Sequence, residues 1–334
     1  MHSTFRLKST ETIRHSGLKF HVTRFDEGIS NKPILVLLHG FLGSGEQFRH
    51  LMPELGKTSR PVTVDISPVK YPDSNQHFGS SARVGEPAQS DSKSPVDESA
   101  QFDAASRLDP PAQKGETSRT DADSRLDADS LVAGLRKTLD RIRTGSGSPL
   151  VLLGYSMGGR LALSLATRHA ESVDGLILES TMAGITDPEQ RNERRASDLR
   201  KAELIRQDFA KFLDEWDRNP LFKPNRSSKS QPESLIRRIQ RNQDPEIMAK
   251  WLEDFGTGVM PPVWDRLGLI RMPVLLITGA SDAKFCDISD RMKTQLADAR
   301  HVVIQGAAHR VHLDHPAEYA VALNDFLSKQ IFTG

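Results

Sequence analysis

The chain has 334 residues, 45 lysines and arginines against 44 aspartates and glutamates, and a single cysteine, Cys286. Its length suits one large domain with insertions, so two equal domains are not required. Because the net charge is only +1, the composition gives no argument for binding nucleic acid or a membrane surface. One cysteine excludes an intramolecular disulfide and favours a reducing compartment.

The absence of several sequence motifs argues against further classes of protein and cofactor. Residues 1–6 contain no apolar signal region, and no apolar run approaches the roughly 20 residues that span a bilayer. No cysteine or histidine cluster has the spacing of zinc ligands, and no glycine-rich phosphate loop follows a predicted strand. We therefore expect a cytoplasmic protein with no membrane insertion, no nucleic-acid partner, and no metal or nucleotide cofactor.

The predicted elements alternate between strands and helices after two edge strands. Residues 5–7 and 18–25 are predicted to form these antiparallel edge strands. Alternation of parallel strands with helices favours a doubly wound, mostly parallel sheet of the α/β class. The apolar runs predict parallel strands at residues 34–38, 62–65, 150–153, 175–179, 274–278 and 302–305, and helices at residues 131–143 and 316–331.

Two segments interrupt this alternation. Residues 72–129 are rich in Ser, Asp, Ala, Gln, Pro and Arg and have almost no aliphatic pattern. Such a segment cannot bury enough apolar area to offset chain entropy, so we expect a disordered surface insertion there. Residues 183–262 are predicted to form an amphipathic helical cap, which excludes water and shapes the substrate pocket. The predicted core is therefore residues 1–182 and 263–334.

The most informative stretch is residues 154–158, Gly-Tyr-Ser-Met-Gly, which have the G-x-S-x-G pattern. A predicted strand precedes this stretch and a predicted helix follows it, which is the context of a nucleophile elbow. Such a turn strains the backbone of Ser156, while Gly154 and Gly158 let strand and helix pass close together. The pattern predicts an exposed, activated serine, and an ordinary glycine-rich turn is the alternative.

An activated serine needs a base, and the base needs a carboxylate that orients it. The fold that carries this elbow places them in the order Ser, Asp or Glu, His. Asp282 follows the predicted strand at 274–278, and His309 ends a small-residue loop after the strand at 302–305, so we predict them as acid and base. The alternatives are Asp287 and Asp290 for the acid and His312 and His315 for the base, while His39 is interpreted as structural.

The loop after the first parallel strand predicts an oxyanion hole. Residues 39–43, His-Gly-Phe-Leu-Gly, have the form of the loop that supplies one backbone N–H to such a site. We assign one donor to the Phe41 N–H and the second to the N–H of Met157, the residue after the serine. Losing one such donor typically costs roughly 10²–10³ in rate.

Arginines at and near the predicted helix suggest an anionic substrate. Arg160 lies four residues after Ser156, about one helical turn, so the two side chains can share a helix face. A guanidinium grips carboxylates bidentately, and an ion pair with a cap carboxylate is the alternative role. The cap begins with Arg191, Arg194 and Arg195 among acidic residues, which is typical of a solvated, salt-bridged face. One of these arginines turned inward would make the pocket anion-selective.

These features together resemble the 2-succinyl-6-hydroxy-2,4-cyclohexadiene-1-carboxylate synthases, the MenH type of the α/β hydrolase fold. The resemblance covers most of the chain outside residues 72–129. After Asp65 the chain departs from the family, because residues 66–70 lead into the insertion where a Pro-Gly-rich turn is usual. The matching residues are 38–43, 154–163, Glu179 with the arginine-rich start of the cap, Trp216, 219–222, 256–258 and Trp264.

The resemblance implies a lyase of menaquinone biosynthesis that needs no cofactor. It would eliminate pyruvate from 2-succinyl-5-enolpyruvyl-6-hydroxy-3-cyclohexene-1-carboxylate, with Ser156 set by His309 and Asp282 to abstract a ring proton. The implied partner is this small polycarboxylate, and we expect a monomer or a small homo-oligomer. The residues that match substrate-binding groups of the family are Tyr155, Arg160, Trp216, Arg194 or Arg195, and Arg238 or Arg241.

The main alternative is a serine hydrolase of the same fold, such as an esterase, a lactonase or a C–C hydrolase. The same three residues would serve it, with Ser156 or an activated water attacking a carbonyl carbon. A non-catalytic binding module is a third hypothesis. The intact set of Ser156, Asp282 and His309 argues against it.

Overall fold

The computed structural model describes residues 7–25, 31–68, 126–223 and 233–331. All of these residues fall in one compact unit of the chain. Most of the predicted insertion, residues 72–125, lies outside the described residues. None of the helices in the described ranges combines the length and the apolar character that crossing a bilayer requires.

Eight strands form one sheet in the described part of the chain, in the spatial order β1-β2-β4-β3-β5-β6-β7-β8. Strand β2 is antiparallel to β1 and β4, and every other neighbouring pair is parallel. This topology confirms the predicted mostly parallel sheet of the α/β class. The strands are β1 (Leu7–His15), β2 (Leu18–Phe25), β3 (Ile34–Leu38), β4 (Arg60–Pro68), β5 (Leu150–Tyr155), β6 (Gly175–Glu179), β7 (Val274–Gly279) and β8 (Ala299–Ile304).

Helices follow most of the parallel strands, and four of them lie between β6 and β7. These four, α4 to α7 with the 3₁₀ turn Pro220–Phe222, are called the helical segment below. The helices are α1 (Met52–Leu55), α2 (Ala128–Arg143), α3 (Met157–Ala166), α4 (Pro188–Gln207), α5 (Phe209–Asp217), α6 (Glu233–Arg241), α7 (Pro245–Phe255), α8 (Ala283–Lys293), α9 (Val311–Asp314) and α10 (Pro316–Phe326).

The sheet is buried on both faces, which explains the continuous apolar runs of its parallel strands. Successive side chains of a strand point to opposite faces. In β3, Val36 and Leu38 pack in a cluster with residues of α2, α3 and the helical segment. Leu35 and Leu37 belong to a second cluster with residues of α10 and with Phe48 of the 3₁₀ helix Gly45–Leu51.

Two predicted boundaries differ from the structure. The first strand was predicted at residues 5–7 but runs Leu7–His15, and it was missed because nearly all of its side chains are polar and exposed. The insertion was predicted to extend to Asp129. Leu126 is instead fully buried, and the Asp127 carboxylate accepts the Asp129 and Ser130 N–H groups as the N-cap of α2.

Candidate active site

The serine of the predicted elbow lies between β5 and α3 in a strained conformation. Ser156 has φ +50° and ψ −108°, a backbone region that residues with a Cβ rarely adopt. The end of β6 holds it there. The Ser156 N–H donates to the Glu179 carbonyl oxygen at 2.9 Å, and the Thr181 hydroxyl donates to the Ser156 carbonyl oxygen at 2.7 Å. The turn is thus fixed by hydrogen bonds on both sides of the serine.

The two glycines of the elbow permit close backbone contacts. A Cβ atom at Gly154 would lie 2.5 Å from the Gly158 carbonyl oxygen. A Cβ atom at Gly158 would lie 2.6 Å from the carbonyl oxygens of Leu38 and His39. These neighbours are backbone atoms and cannot turn away. Only glycine therefore fits at both positions, as the sequence pattern indicated.

Three predicted side chains meet at the carboxyl edge of the sheet. His309 Nε2 lies 3.1 Å from the Ser156 hydroxyl, and His309 Nδ1 lies 2.7 Å from Asp282 Oδ2. Asp282 caps α8 after β7, and His309 lies in the loop after β8. Both side chains are almost fully buried. An imidazole protonated at Nδ1 donates to the carboxylate and leaves Nε2 free to accept the serine proton, which is the arrangement of a general base.

The alternative acids and bases make contacts elsewhere, and none of these contacts includes Ser156. Asp287 is exposed on α8. His39 bonds the carbonyl oxygen of Gly40 at 2.7 Å, at the end of β3. The remaining contacts are Asp290 with His301 at 2.8 Å, His312 with Glu179 at 2.7 Å and His315 with Glu318 at 3.6 Å.

The two predicted oxyanion donors follow neighbouring strands at this same edge of the sheet. Phe41 follows β3, and Met157 begins α3 directly after the serine. Within the described residues, neither backbone N–H has a protein acceptor. The Phe41 ring contacts the Trp216 ring of α5 edge to face, with centroids 5.4 Å apart. The Trp216 indole N–H is itself buried without a protein partner in the described part of the chain. Three N–H groups close to this edge therefore have no protein acceptor among the described residues.

Arg160 is the predicted anion-binding residue that the structure buries. Its guanidinium donates to the Phe255 carbonyl oxygen at 3.0 Å and lies 3.0 Å from the sulfur of Met260. The pKa of Arg160 is lowered to about 9, chiefly by burial and also by the positive charge of Arg194, while the negative charge of Asp198 partly opposes both effects. The side chain makes no ion pair within 4 Å among the described residues. Its positive charge is therefore incompletely compensated.

The other predicted arginines differ in their surroundings. Arg194 binds both carboxylate oxygens of Asp198, at 2.9 and 3.0 Å, one turn along α4. Arg195 and Arg241 are exposed, and Arg238 is an exposed partner of Glu46. No contact in the described structure joins Arg195, Arg238 or Arg241 to Ser156 or His309. A role for these three residues in the pocket stays a prediction.

Aromatic and basic residues around His309 had no role assigned from the sequence. Phe285 and Phe222 contact the His309 ring edge to face, with centroids 4.6 and 5.9 Å apart. The Arg310 guanidinium stacks 3.9 Å from the centre of the Phe222 ring. The predicted substrate-binding residue Tyr155 is buried, with its ring 5.6 Å from that of His309, and burial raises the pKa of its hydroxyl. Phe222 belongs to the matching residues 219–222 but had no contact with His309 assigned, and no local pattern marks Phe285, because only tertiary packing brings both rings to His309.

The fold agrees with the comparisons to known proteins. A model of the "Alpha/beta hydrolase family" matches residues 35–322. The chain therefore belongs to the alpha/beta hydrolase family.

Within that family the chain is similar to the 2-succinyl-6-hydroxy-2,4-cyclohexadiene-1-carboxylate synthases. The Pectobacterium atrosepticum synthase is 34% identical over 182 residues, which are 54% of this chain and 69% of that protein. A Bacillus subtilis protein provisionally named for the same activity is 35% identical over 178 residues, 53% of this chain. The matched part spans 65% of the Bacillus protein. The solved structure of MenH from S. aureus is 25% identical, with a TM-score of 0.69 and coverage of 95% of this chain and 99% of that one.

Proposed function

We propose that this protein eliminates pyruvate from 2-succinyl-5-enolpyruvyl-6-hydroxy-3-cyclohexene-1-carboxylate. The product would be 2-succinyl-6-hydroxy-2,4-cyclohexadiene-1-carboxylate, in menaquinone biosynthesis. The observation that carries the proposal is a Ser156–His309–Asp282 contact chain one helical turn from the buried Arg160. Similarity to proteins named for this synthase supports the same reaction.

The three side chains supply proton transfer. His309 accepts the hydroxyl proton of Ser156 while the serine oxygen takes a proton from a ring carbon. The electron pair of the broken C–H bond delocalises onto an adjacent carbonyl or carboxylate, where the N–H groups of Phe41 and Met157 stabilise the charge. That pair then forms a double bond to the next ring carbon, the existing ring double bond shifts by one position, and its electrons displace the enolpyruvyl group as the C–O bond breaks. The enolpyruvate takes a proton and becomes pyruvate, and no acyl-enzyme forms.

Arg160 gives this site its preference for a carboxylate. Its pKa of about 9 leaves the guanidinium charged at neutral pH, although burial disfavours that charge. A buried charge without full compensation is costly, and a substrate carboxylate supplies the missing negative partner. Substrates without such a group would gain nothing from this residue.

Release of pyruvate from the proposed substrate, followed in a coupled assay with lactate dehydrogenase, tests the function directly. The wild-type protein should release it, and Arg160→Ala should lower kcat/KM by about 10- to 100-fold, the usual worth of a hydrogen bond to a charged group. Cleavage of the neutral ester 4-nitrophenyl acetate should fall much less in the same variant. If the protein released no pyruvate from this substrate but cleaved simple esters rapidly, the lyase proposal would be wrong.

A serine hydrolase is the competing function, because the same 3.1 Å contact between Ser156 and His309 also suits nucleophilic attack. The two functions differ in their intermediates. Mass spectrometry of Ser156 during turnover should find no acyl adduct if the protein eliminates pyruvate. An acyl adduct that forms and decays with turnover would instead identify a covalent hydrolase.

A further inference from the structure

We propose that Arg310 is a second anion-binding residue of the active site, which contacts a substrate carboxylate different from the one held by Arg160. The proposal rests on the function given above, which requires a substrate with several carboxylates. Arg160 follows Ser156 by one helical turn, and Arg310 directly follows His309. Each of the two cations is therefore close in the chain to one member of the Ser156–His309 pair.

An aromatic contact and an electrostatic interaction place the Arg310 side chain beside the site. Its guanidinium carbon lies 3.9 Å from the centre of the Phe222 ring, close enough for a cation–π interaction. Its charge also reaches the hydroxyl of the buried Tyr155, where it opposes the rise in pKa that burial causes. Tyr155 immediately precedes Ser156. Arg310 thus bridges the elbow and the helical segment.

Phe222, the ring beneath Arg310, is itself fixed against the site. The backbone N–H of His309 donates to the carbonyl oxygen of Leu221 at 3.3 Å. The Phe222 ring packs on the rings of His309 and Trp216, with centroids 5.9 and 5.5 Å apart. The position of the Arg310 guanidinium is therefore set by residues that already contact the proposed base.

In the described part of the chain, Arg310 also forms no ion pair with a carboxylate. Among the described residues, no carboxylate oxygen lies within 4 Å of its guanidinium. Asp314 interacts with it electrostatically, but Asp314 Oδ2 accepts the Ala308 N–H at 2.8 Å. A guanidinium that stacks by its face keeps its N–H edge for bidentate binding of a carboxylate. In contrast, Arg194 has its own carboxylate in Asp198.

The test compares two variants. Arg310→Gln removes the charge and keeps a polar side chain, whereas Arg310→Lys keeps the charge but cannot bind a carboxylate bidentately through a planar guanidinium. Arg291→Gln is the matched control, because Arg291 also stacks on an aromatic ring, 4.7 Å from Trp264, but is exposed on α8. Arg310→Gln should raise KM for pyruvate release by about 10- to 100-fold, Arg310→Lys should raise it less, and Arg291→Gln should leave it unchanged.

A binding measurement separates this proposal from the proposed function. The dissociation constant of 2-succinylbenzoate, a stable ring with two carboxylates, is measured by quenching of tryptophan fluorescence. Arg310→Gln should weaken this binding by about 10- to 100-fold relative to the wild type and to Arg291→Gln. If the wild type releases no pyruvate, the lyase function fails, and the binding comparison still decides the role of Arg310. Wild-type affinity in Arg310→Gln, equal weakening in Arg291→Gln, or no binding by the wild type would each overturn the proposal.

Discussion

At the scale of single residues, the Asp282 carboxylate decides which nitrogen of His309 carries the proton. Replacing Asp282 by Asn keeps a similar shape but offers an amide N–H to Nδ1, which favours the tautomer protonated at Nε2. That tautomer cannot accept the Ser156 proton, so kcat should fall by about 10³- to 10⁴-fold, as for an aspartate-to-asparagine change in a serine protease triad. The chain offers a control in the exposed Asp290, which contacts the buried side chain of His301 at 2.8 Å.

Asp290→Asn changes the same kind of contact away from Ser156 and should leave kcat within about twofold of the wild type, as is usual for surface substitutions. Both variants should keep the circular dichroism spectrum of the folded protein. An Asp282→Asn variant with nearly full activity would mean that the carboxylate does not orient the base during turnover.

The sequence predicted the residues of the contact chain better than those of the predicted anion site. Ser156, Asp282 and His309 each follow a strand that an apolar run identifies, so chain order and the elbow pattern were enough to select them. An arginine on a helix carries no comparable information, because its long side chain can turn toward solvent, a carboxylate or the pocket. The sequence analysis named Arg195 and gave Arg310 no role, and only packing shows that the first is exposed and the second lies beside Tyr155.

At the scale of elements, the close packing of α3 against β3 depends on Gly158. A methyl group at this position would meet the carbonyl oxygens of Leu38 and His39 at 2.6 Å, so the strand and helix would have to separate. Gly158→Ala should therefore lower the free energy of unfolding by about 1–3 kcal/mol, the usual cost of overpacking. It should also reduce activity, because the Met157 N–H moves with the helix.

The matched control is Gly147→Ala, since a Cβ atom at Gly147 meets nothing within 4 Å. Urea unfolding should place this variant within about 0.5 kcal/mol of the wild type. If Gly158→Ala were as stable and as active as Gly147→Ala, the contact between helix and strand would be looser than the structure indicates.

At the scale of the whole molecule, the alternation of elements predicted the sheet because each parallel strand is buried on both faces and therefore apolar throughout. The same rule fails at the sheet edge, where β1 has polar side chains on both faces and little apolar pattern. It fails again at Leu126, a single apolar residue in polar surroundings that is fully buried. Isolated contacts of this kind leave no periodicity in the sequence, so they could not be predicted.

The stability of the whole molecule should depend on pH through His50. The His50 imidazole lies close to α9, and its Nε2–H donates to the His312 carbonyl oxygen at 2.9 Å. Its Nδ1 is buried without a partner in the described structure. Burial lowers the pKa of His50 below its ordinary value of 6.5, and the opposing effects of the His312 carbonyl and the Glu179 charge are smaller. His50 therefore binds a proton more weakly in the folded protein than in the unfolded chain.

The sign of the effect follows from proton uptake. Below pH 6.5 the unfolded chain binds more protons at His50 than the folded protein, so stability falls as the pH drops from 6.5 through the lowered pKa. His50→Gln keeps a donor for the His312 carbonyl oxygen and cannot titrate. Its free energy of unfolding, measured in urea at pH 7.5 and 5.5, should fall less than that of the wild type. A His50→Gln variant with the wild-type pH dependence would exclude His50 as the source of acid sensitivity.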